Sequence, residues 1–128
     1  MITIKNSIKS YSFQYSFAVD TGAINTYQAP FVLPGGCTVQ LVSYTTLAAL
    51  TSAGAATISL GTGTGANKTN WYSSEAIADF SLNATTSQTP FNQILIIPAG
   101  EKPSITIEAF ALTAGILVVT VQYIEFRA

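Results

Sequence analysis

The carboxylates are the side chains of this sequence best suited to acid–base chemistry, because the chain contains no histidine. A triad of serine, histidine and an acid is therefore excluded. Glycoside hydrolysis needs only a pair of carboxylates, and the sequence offers Asp20, Glu75, Asp79, Glu101, Glu108 and Glu125. Glu108 and Glu125 flank a predicted turn at residues 113–115 and could face each other across two strands. Such a pair more often marks a solvated strand face, so we predict no catalytic residues and no enzyme.

A glycine-rich run at residues 61–66 has the spacing of a nucleotide-binding loop. The dinucleotide motif needs a helix directly after it, because the helix N-terminus holds the pyrophosphate, and residues 67–72 do not have a helical pattern. A phosphate loop ending at Lys68 would need glycine where Thr62 and Asn67 stand. We predict an exposed loop and no nucleotide cofactor.

Metal binding and disulfide formation find little support in the sequence. A calcium loop needs several acidic or amide side chains close together, and Asn67 and Asn70 are too few. Cys37 is the only cysteine, so no intrachain disulfide can form, and no neighbouring base or cation would activate its thiol. We expect Cys37 to be a small buried side chain, and we predict no metal and no cofactor.

Two groups of aromatic residues are the best interaction candidates. Tyr11, Phe13, Tyr15 and Phe17 alternate with small or polar residues, which predicts a strand with one aromatic face. That face could pack in the core or form a subunit interface, where aromatic residues are enriched. The second group is Trp71 and Tyr72, which lie in a predicted loop. They could anchor the loop on the core or present a platform for sugar stacking. The six interface candidates are Tyr11, Phe13, Tyr15, Phe17, Trp71 and Tyr72.

Apolar residues recur with period two along most of the chain, which is typical of strands. The predicted strands are 2–8, 11–19, 38–47, 56–60, 94–97, 104–109 and 115–126. The segment 115–126 begins with residues that are apolar on both faces, so we place it centrally in a sheet. Residues 76–82 remain ambiguous between a strand, which their alternation favours, and a short helix. The predicted turns are 33–36, 52–54, 98–100 and 113–115.

This pattern predicts an all-β fold, a single antiparallel β-sandwich of seven to nine strands, with a jelly roll as the favoured arrangement. One domain spans residues 1–128, and residues 1–10 could form an extended arm. The N-terminus lacks the pattern of a secretory signal, and no apolar stretch approaches the roughly 20 residues of a membrane helix. We therefore expect synthesis and folding in a cytoplasm and no membrane partner.

The low charge restricts the partners. Lys and Arg total 5, Asp and Glu total 6, and charged residues make up only 9% of the chain. So few basic residues exclude an electrostatic nucleic-acid site. The polar residues are mainly Ser, Thr, Asn and Gln, which form hydrogen bonds at a lower desolvation cost than buried charges. This composition favours a subunit of a homo-oligomer, with a trimer as the preferred state.

Several strand–turn segments resemble small β-rich virion proteins of tailed bacteriophages, in particular capsid decoration and head-fibre proteins. The similarity covers roughly residues 55–124 and rests on residues 58–63, 94–100, 103–107 and 112–115. The resemblance implies a sandwich or jelly roll, trimeric assembly on the capsid exterior, contact with the major capsid protein or other virion proteins, and no catalysis. The alternative is a tail-fibre or lectin-like module that binds a glycan through Trp71 and Tyr72.

Overall fold

Nine β-strands in two antiparallel sheets make up most of the described chain. The computed structural model describes residues 8–33, 37–81, 85–88, 95–96 and 101–124. The strands are β1 (Ile8–Ser16), β2 (Thr26–Gln28), β3 (Thr38–Ser52), β4 (Thr57–Thr62), β5 (Tyr72–Ala76), β6 (Thr85–Gln88), β7 (Leu95–Ile96), β8 (Pro103–Glu108) and β9 (Leu112–Ile124). The all-β sandwich predicted from the period-two pattern is confirmed.

The first sheet has the order β1-β9-β3-β6, with β7 pairing with β3 beside β6, and the second sheet has the order β2-β8-β4-β5. The strand pairs run antiparallel. Strand β9 lies between β1 and β3, which confirms the central position predicted from its run of apolar residues. Alternate side chains of β9 therefore point into the space between the sheets.

The core lies between the two sheets. Its β9 members are Leu117, Val119 and Val121, and the second sheet contributes Ile58 and Ile107 from the facing side, all fully buried. Burying a side chain of this size stabilises the fold by roughly 1.5–3 kcal/mol. The alternation in the sequence thus fixes which face of each strand meets the other sheet.

The second sheet is also covered on much of its outer side. Ser59, Ser104 and Thr106 lie on that side and are buried. A 3₁₀ helix at Ala66–Thr69 lies close over the sheet, because a Cβ on Gly61 would collide with backbone of that helix. The polar side chains on this side of β4 and β8 are therefore largely inaccessible to solvent.

The predicted strand 11–19 is too long at its C-terminal end. Strand β1 ends at Ser16, and Phe17–Asp20 form one turn of helix, α1. A carboxylate oxygen of Asp20 accepts a hydrogen bond from the Ser16 backbone N–H at 3.0 Å, and the Thr21 N–H donates to the Phe17 carbonyl. These two bonds close the chain into a turn where alternation alone predicted extended backbone.

Two other predicted elements are wrong. Residues 113–115 lie inside β9, and the turn comes earlier, where Ala109 has a φ of 71°. The favoured strand over 76–82 is replaced, in its described part, by a 3₁₀ helix at Ile77–Phe80, with Phe80 buried in the core. Here the burial of one aromatic ring overrides the alternating pattern.

Some predictions fall outside the described residues: the strand over 2–7, the turns at 34–36 and 98–100, and Glu125. Residues 8–10, assigned to a possible arm, belong to β1 and pair with β9. The predicted turn at 52–54 lies between β3 and β4, as expected. No helix in the described part of the chain is long and apolar enough to cross a membrane.

Candidate interaction site

A groove lies along the edge of the sandwich where β1 of the first sheet meets β2 of the second. It has a volume of about 320 Å³. Its aromatic lining consists of Tyr11, Phe13 and Tyr15 from β1 and Tyr27 from β2, and we call it the aromatic groove. Among the strands that the structure describes, both stand at the edge of their sheets, so a neighbour could approach the groove from this side. Three of the six predicted interface residues therefore meet at one place.

The rings of the groove are held by packing among themselves. Tyr11 stacks on Phe31 with ring centroids 4.2 Å apart and lies 6.2 Å from the ring of Phe13. Tyr15 and Tyr27 are tilted against each other at 5.5 Å. Aromatic pairs in such geometry add about 0.5–1.5 kcal/mol beyond the area they bury. The groove is thus a rigid surface and needs little ordering when a partner binds.

The tyrosine hydroxyls at the closed end of the groove already have acceptors. Tyr15 Oη donates to the Thr21 carbonyl at 2.6 Å, and Tyr27 Oη donates to the Ala23 carbonyl at 2.8 Å. Burial, followed by the neighbouring Tyr27 and Asp20, raises the pKa of Tyr15 to about 12. Tyr15 therefore remains protonated at neutral pH and acts as a donor that ties β1 to the loop before β2.

The groove suits recognition of a neutral, apolar group. Among the described residues of its lining, Asp20 alone is charged, and one of its carboxylate oxygens is already bonded to the Ser16 N–H. The remaining polar lining comes from Gln14 and Gln28, whose amides can bond a neighbouring backbone. Phe17 lies just beyond, in α1, and is 38% exposed.

Trp71 and Tyr72 lie elsewhere, between the sheets. Trp71 is only 2% exposed, and Tyr72, predicted in a loop, begins β5. Tyr72 Oη donates to the Val42 carbonyl of β3 at 3.0 Å, and its ring meets Tyr44 edge to face. Tyr72 thus joins the second sheet to the first, and Trp71 is buried beside it in the core, as in the anchor interpretation. Sugar stacking needs an exposed ring face, which Trp71 does not offer.

The candidates for chemistry are also used within the fold. Glu108 accepts a hydrogen bond from the buried Ser59 hydroxyl. Strands β8 and β9 belong to different sheets, so these consecutive strands do not pair with each other as the carboxylate-pair hypothesis supposed. The Asn67 amide donates to Glu101 at 3.1 Å. Within the described ranges, no three His, Cys, Asp or Glu side chains come close enough to hold a metal ion. Cys37 is buried, as expected.

The outer side of the first sheet forms a second candidate surface, which we call the uncharged face. It carries hydroxyl, amide and aliphatic side chains from three strands: Ser10, Ser12, Gln14, Leu41, Ser43, Thr45, Leu47, Ile116, Val118, Thr120, Gln122 and Ile124. These described positions include no charged residue. The hydroxyls of Ser12 and Thr120 bond each other across the strands at 2.7 Å. Another protein could cover this face without desolvating a charge. Sequence reasoning missed the face because strand order decides which residues share it.

Two solved bacteriophage capsid structures contain chains of similar fold. A chain of the acid-stable capsid of Helicobacter pylori bacteriophage KHP30 matches with a TM-score of 0.65 and 12% identity, covering 96% of this chain and 94% of that one. A chain of the cyanophage Pam1 capsid asymmetric unit matches with a TM-score of 0.58 and 20% identity, covering 94% and 84%. No protein-family model matches the sequence, and no curated protein matches it.

These matches confirm the resemblance to β-rich phage virion proteins at the level of the fold. They also extend it. The resemblance in sequence covers roughly residues 55–124, whereas the shared fold covers nearly the whole chain. Strands β1 and β3 are therefore part of the common architecture, although their residues show no resemblance.

Proposed function

We propose that this chain is a structural protein of a bacteriophage particle, which binds the outer surface of the capsid as a symmetric oligomer, with a trimer favoured. The observation that carries the proposal is the match of the whole fold to chains of two phage capsid structures. Copies of the chain would contact the major capsid protein or other virion proteins and oppose the separation of neighbouring shell subunits.

The strand order supports the jelly-roll arrangement that the proposal includes. When the two-residue β7 is set aside, eight strands remain. The first pairs with the last (β1 with β9), the second with the seventh (β2 with β8), the third with the sixth (β3 with β6) and the fourth with the fifth (β4 with β5). This nested pairing arises when a long hairpin of four strand pairs wraps around itself, as in the jelly rolls of viral capsid proteins.

The surface supports an oligomer. Oligomer interfaces are richer in aromatic residues and poorer in charge at their centre than the rest of a protein surface. The aromatic groove presents Tyr11 and Phe13 at the free edge of β1, and the uncharged face adjoins that edge. We therefore place the contact between copies at the β1 edge.

The main test is the composition and map of the parent virion. Mass spectrometry of purified particles should find the chain in fixed proportion to the major capsid protein, and cryo-electron microscopy should place it outside the shell. Its absence from purified virions would refute the proposal. A chain found in the tail, with binding on a glycan array, would favour the tail-fibre alternative.

The oligomer is tested separately by light scattering after size-exclusion chromatography. The wild type should have several times the monomer mass of 13.5 kDa. Gln14→Arg places a charge at the β1 edge and should lower the mass, because symmetric copies bring like charges together. Gln40→Arg, at an exposed residue of β3, is the matched control and should leave the mass unchanged. A monomeric wild type, or equal effects of the two variants, would refute the proposed interface at the β1 edge.

A further inference from the structure

Three loops at one end of the sandwich expose an unusual amount of apolar surface. They are residues 17–25 between β1 and β2, residues 53–55 between β3 and β4, and residues 109–111 between β8 and β9. We call this surface the apolar end. Its large side chains are Val19, which is 80% exposed, Ile24 at 57%, Phe110 at 47% and Phe17. The other residues of the three loops are mostly alanine or glycine, whereas loops ordinarily carry polar side chains.

The three loops form one continuous surface. The Leu112 N–H donates to the Gly22 carbonyl at 2.7 Å, which joins the first loop to the third. The Ser52 hydroxyl donates to the Ala111 carbonyl at 3.0 Å. A Cβ on Gly54 would meet the ring of Phe110, so the second loop packs directly against the third.

The exposed area is within the range of the largest apolar patch on a typical monomer but small for a stable pair. Large side chains present roughly 150–250 Å² each when exposed, so the four together leave on the order of 400 Å² uncovered. The largest apolar patch of a typical monomer has about 300–600 Å² and is often functional. A stable one-to-one complex buries about 800 Å² on each partner. A single apolar end is therefore expected to bind weakly, and several ends in one oligomer would bind a repeating surface strongly.

Charge is distributed unequally between the two ends. The strand directions place Asp20, Glu75 and Glu108 near the apolar end, around its rim. The described lysines, Lys9, Lys68 and Lys102, stand at the opposite end, together with Glu101. The apolar end thus has an acidic rim. A complementary surface on a partner would have an apolar centre surrounded by basic side chains.

We propose that the apolar end is the surface by which each copy of the chain docks on the shell, and that its partner site is a repeated apolar patch of the major capsid protein flanked by Lys or Arg. This inference rests on the proposed function and names the contacting surface. It assigns different surfaces to the two contacts, because the β1 edge joins copies and the apolar end faces the shell. The small area of each contact makes docking depend on the oligomer.

The test is rebinding of the purified full-length chain to particles from which it has been removed. Val19→Lys and Ile24→Lys place a charge in the apolar end at exposed sites that tolerate it. Thr64→Lys is the matched control, since Thr64 is an exposed β-branched residue in the loop at the opposite end, outside the uncharged face and the β1 edge. The two end variants should bind at least about tenfold more weakly, equivalent to 1.4 kcal/mol, and the control should bind as the wild type does. Raising salt from about 0.05 M to about 0.5 M should weaken wild-type binding in part.

The outcomes separate this inference from the proposed function. If the wild type rebinds and the end variants rebind equally well, the docking surface is wrong and the virion role stands. If the wild type does not rebind to the stripped particles, the docking inference is refuted, whereas the virion role is decided by whether the chain is present in purified particles. If the end variants lose their oligomer in light scattering, the apolar end is a contact between copies and the proposal is overturned. Wild-type binding that is unaffected or strengthened by salt would refute the basic rim.

Discussion

Gly115 provides a sharp test of how β9 packs on β3. Its φ is +133°, a backbone conformation that side-chain-bearing residues rarely adopt. A Cβ at this position would lie 2.8 Å from the Cα of Leu50, would collide with a methyl group of the same residue, and would lie 3.1 Å from the Ala49 carbonyl oxygen. Because two of these atoms belong to the backbone of β3, a rotamer change cannot relieve the contact.

We expect Gly115→Ala to destabilise the fold by about 2–5 kcal/mol. The unfavourable φ contributes roughly 1–2 kcal/mol, and overpacking between two buried strands contributes roughly 1–3 kcal/mol. For a domain of this size the melting temperature should fall by roughly 10 °C or more. The loss should be similar in urea, with little change in the dependence on denaturant concentration.

Gly65→Ala is the matched control. Gly65 is exposed, its φ is negative, and nothing lies within 4 Å of the position its Cβ would occupy. Thermal and urea unfolding of both variants should leave Gly65→Ala within about 1 kcal/mol of the wild type. If Gly115→Ala were equally mild, β9 could not pack on the bulged part of β3 as described, and the reasoning would be wrong.

Four further predictions concern buried or paired side chains. Tyr72→Phe removes a hydroxyl that donates to a β3 carbonyl, and it should cost about 1 kcal/mol in urea unfolding. Thr46→Val removes a buried hydroxyl that has no partner in the described structure, so it should instead stabilise the fold; equal losses in the two variants would contradict this contrast. Burial, together with the charge of Asp79 and a hydrogen bond to it, raises the pKa of Glu75. The folded state therefore binds the proton more tightly than the unfolded chain, and this contribution to stability is lost as pH rises through the folded pKa. Glu75→Gln should unfold at higher urea than the wild type at pH 7, and the gap should close below the ordinary glutamate pKa; a gap independent of pH would be evidence against the carboxyl pair. The buried Cys37 thiol should react with a thiol reagent only slowly until the protein is unfolded, and rapid labelling of the native protein would place it at the surface.

The class of fold could be predicted because the relevant signals are local. The central position of β9 was predicted from four consecutive apolar residues, Ile116 to Val119, although only Leu117 and Val119 face the core and the other two lie on the half-exposed outer side. Strand β1 was predicted from its alternation, and β3 from its apolar residues as far as Leu47, although it continues to Ser52. Each of these predictions depends only on which neighbours in sequence are apolar.

The errors arise where distant contacts decide the structure. Gly115 has the composition of a turn, yet it serves a close approach of β9 to β3, which no local pattern reveals. Ile77–Phe80 alternates like a strand, but the burial of Phe80 beside Tyr44 favours a 3₁₀ helix. The aromatic groove and the apolar end each combine residues from separate loops or strands. Their members could be named from the sequence, but their grouping required the strand order.

The position of β9 also sets the order in which the protein can fold. The first sheet cannot close until β9 exists, because β1 and β3 pair with β9 and not with each other. Strand β9 is the last strand in chain order among those described, so β1 and β3 leave the ribosome well before their common partner does. Contacts between residues far apart in sequence form slowly. Until β9 pairs with them, β1 and β3 have unpaired edges that are prone to aggregation. We therefore expect the first sheet to form only after β9 has been synthesised, and the yield of native protein to depend on temperature and chaperones during synthesis.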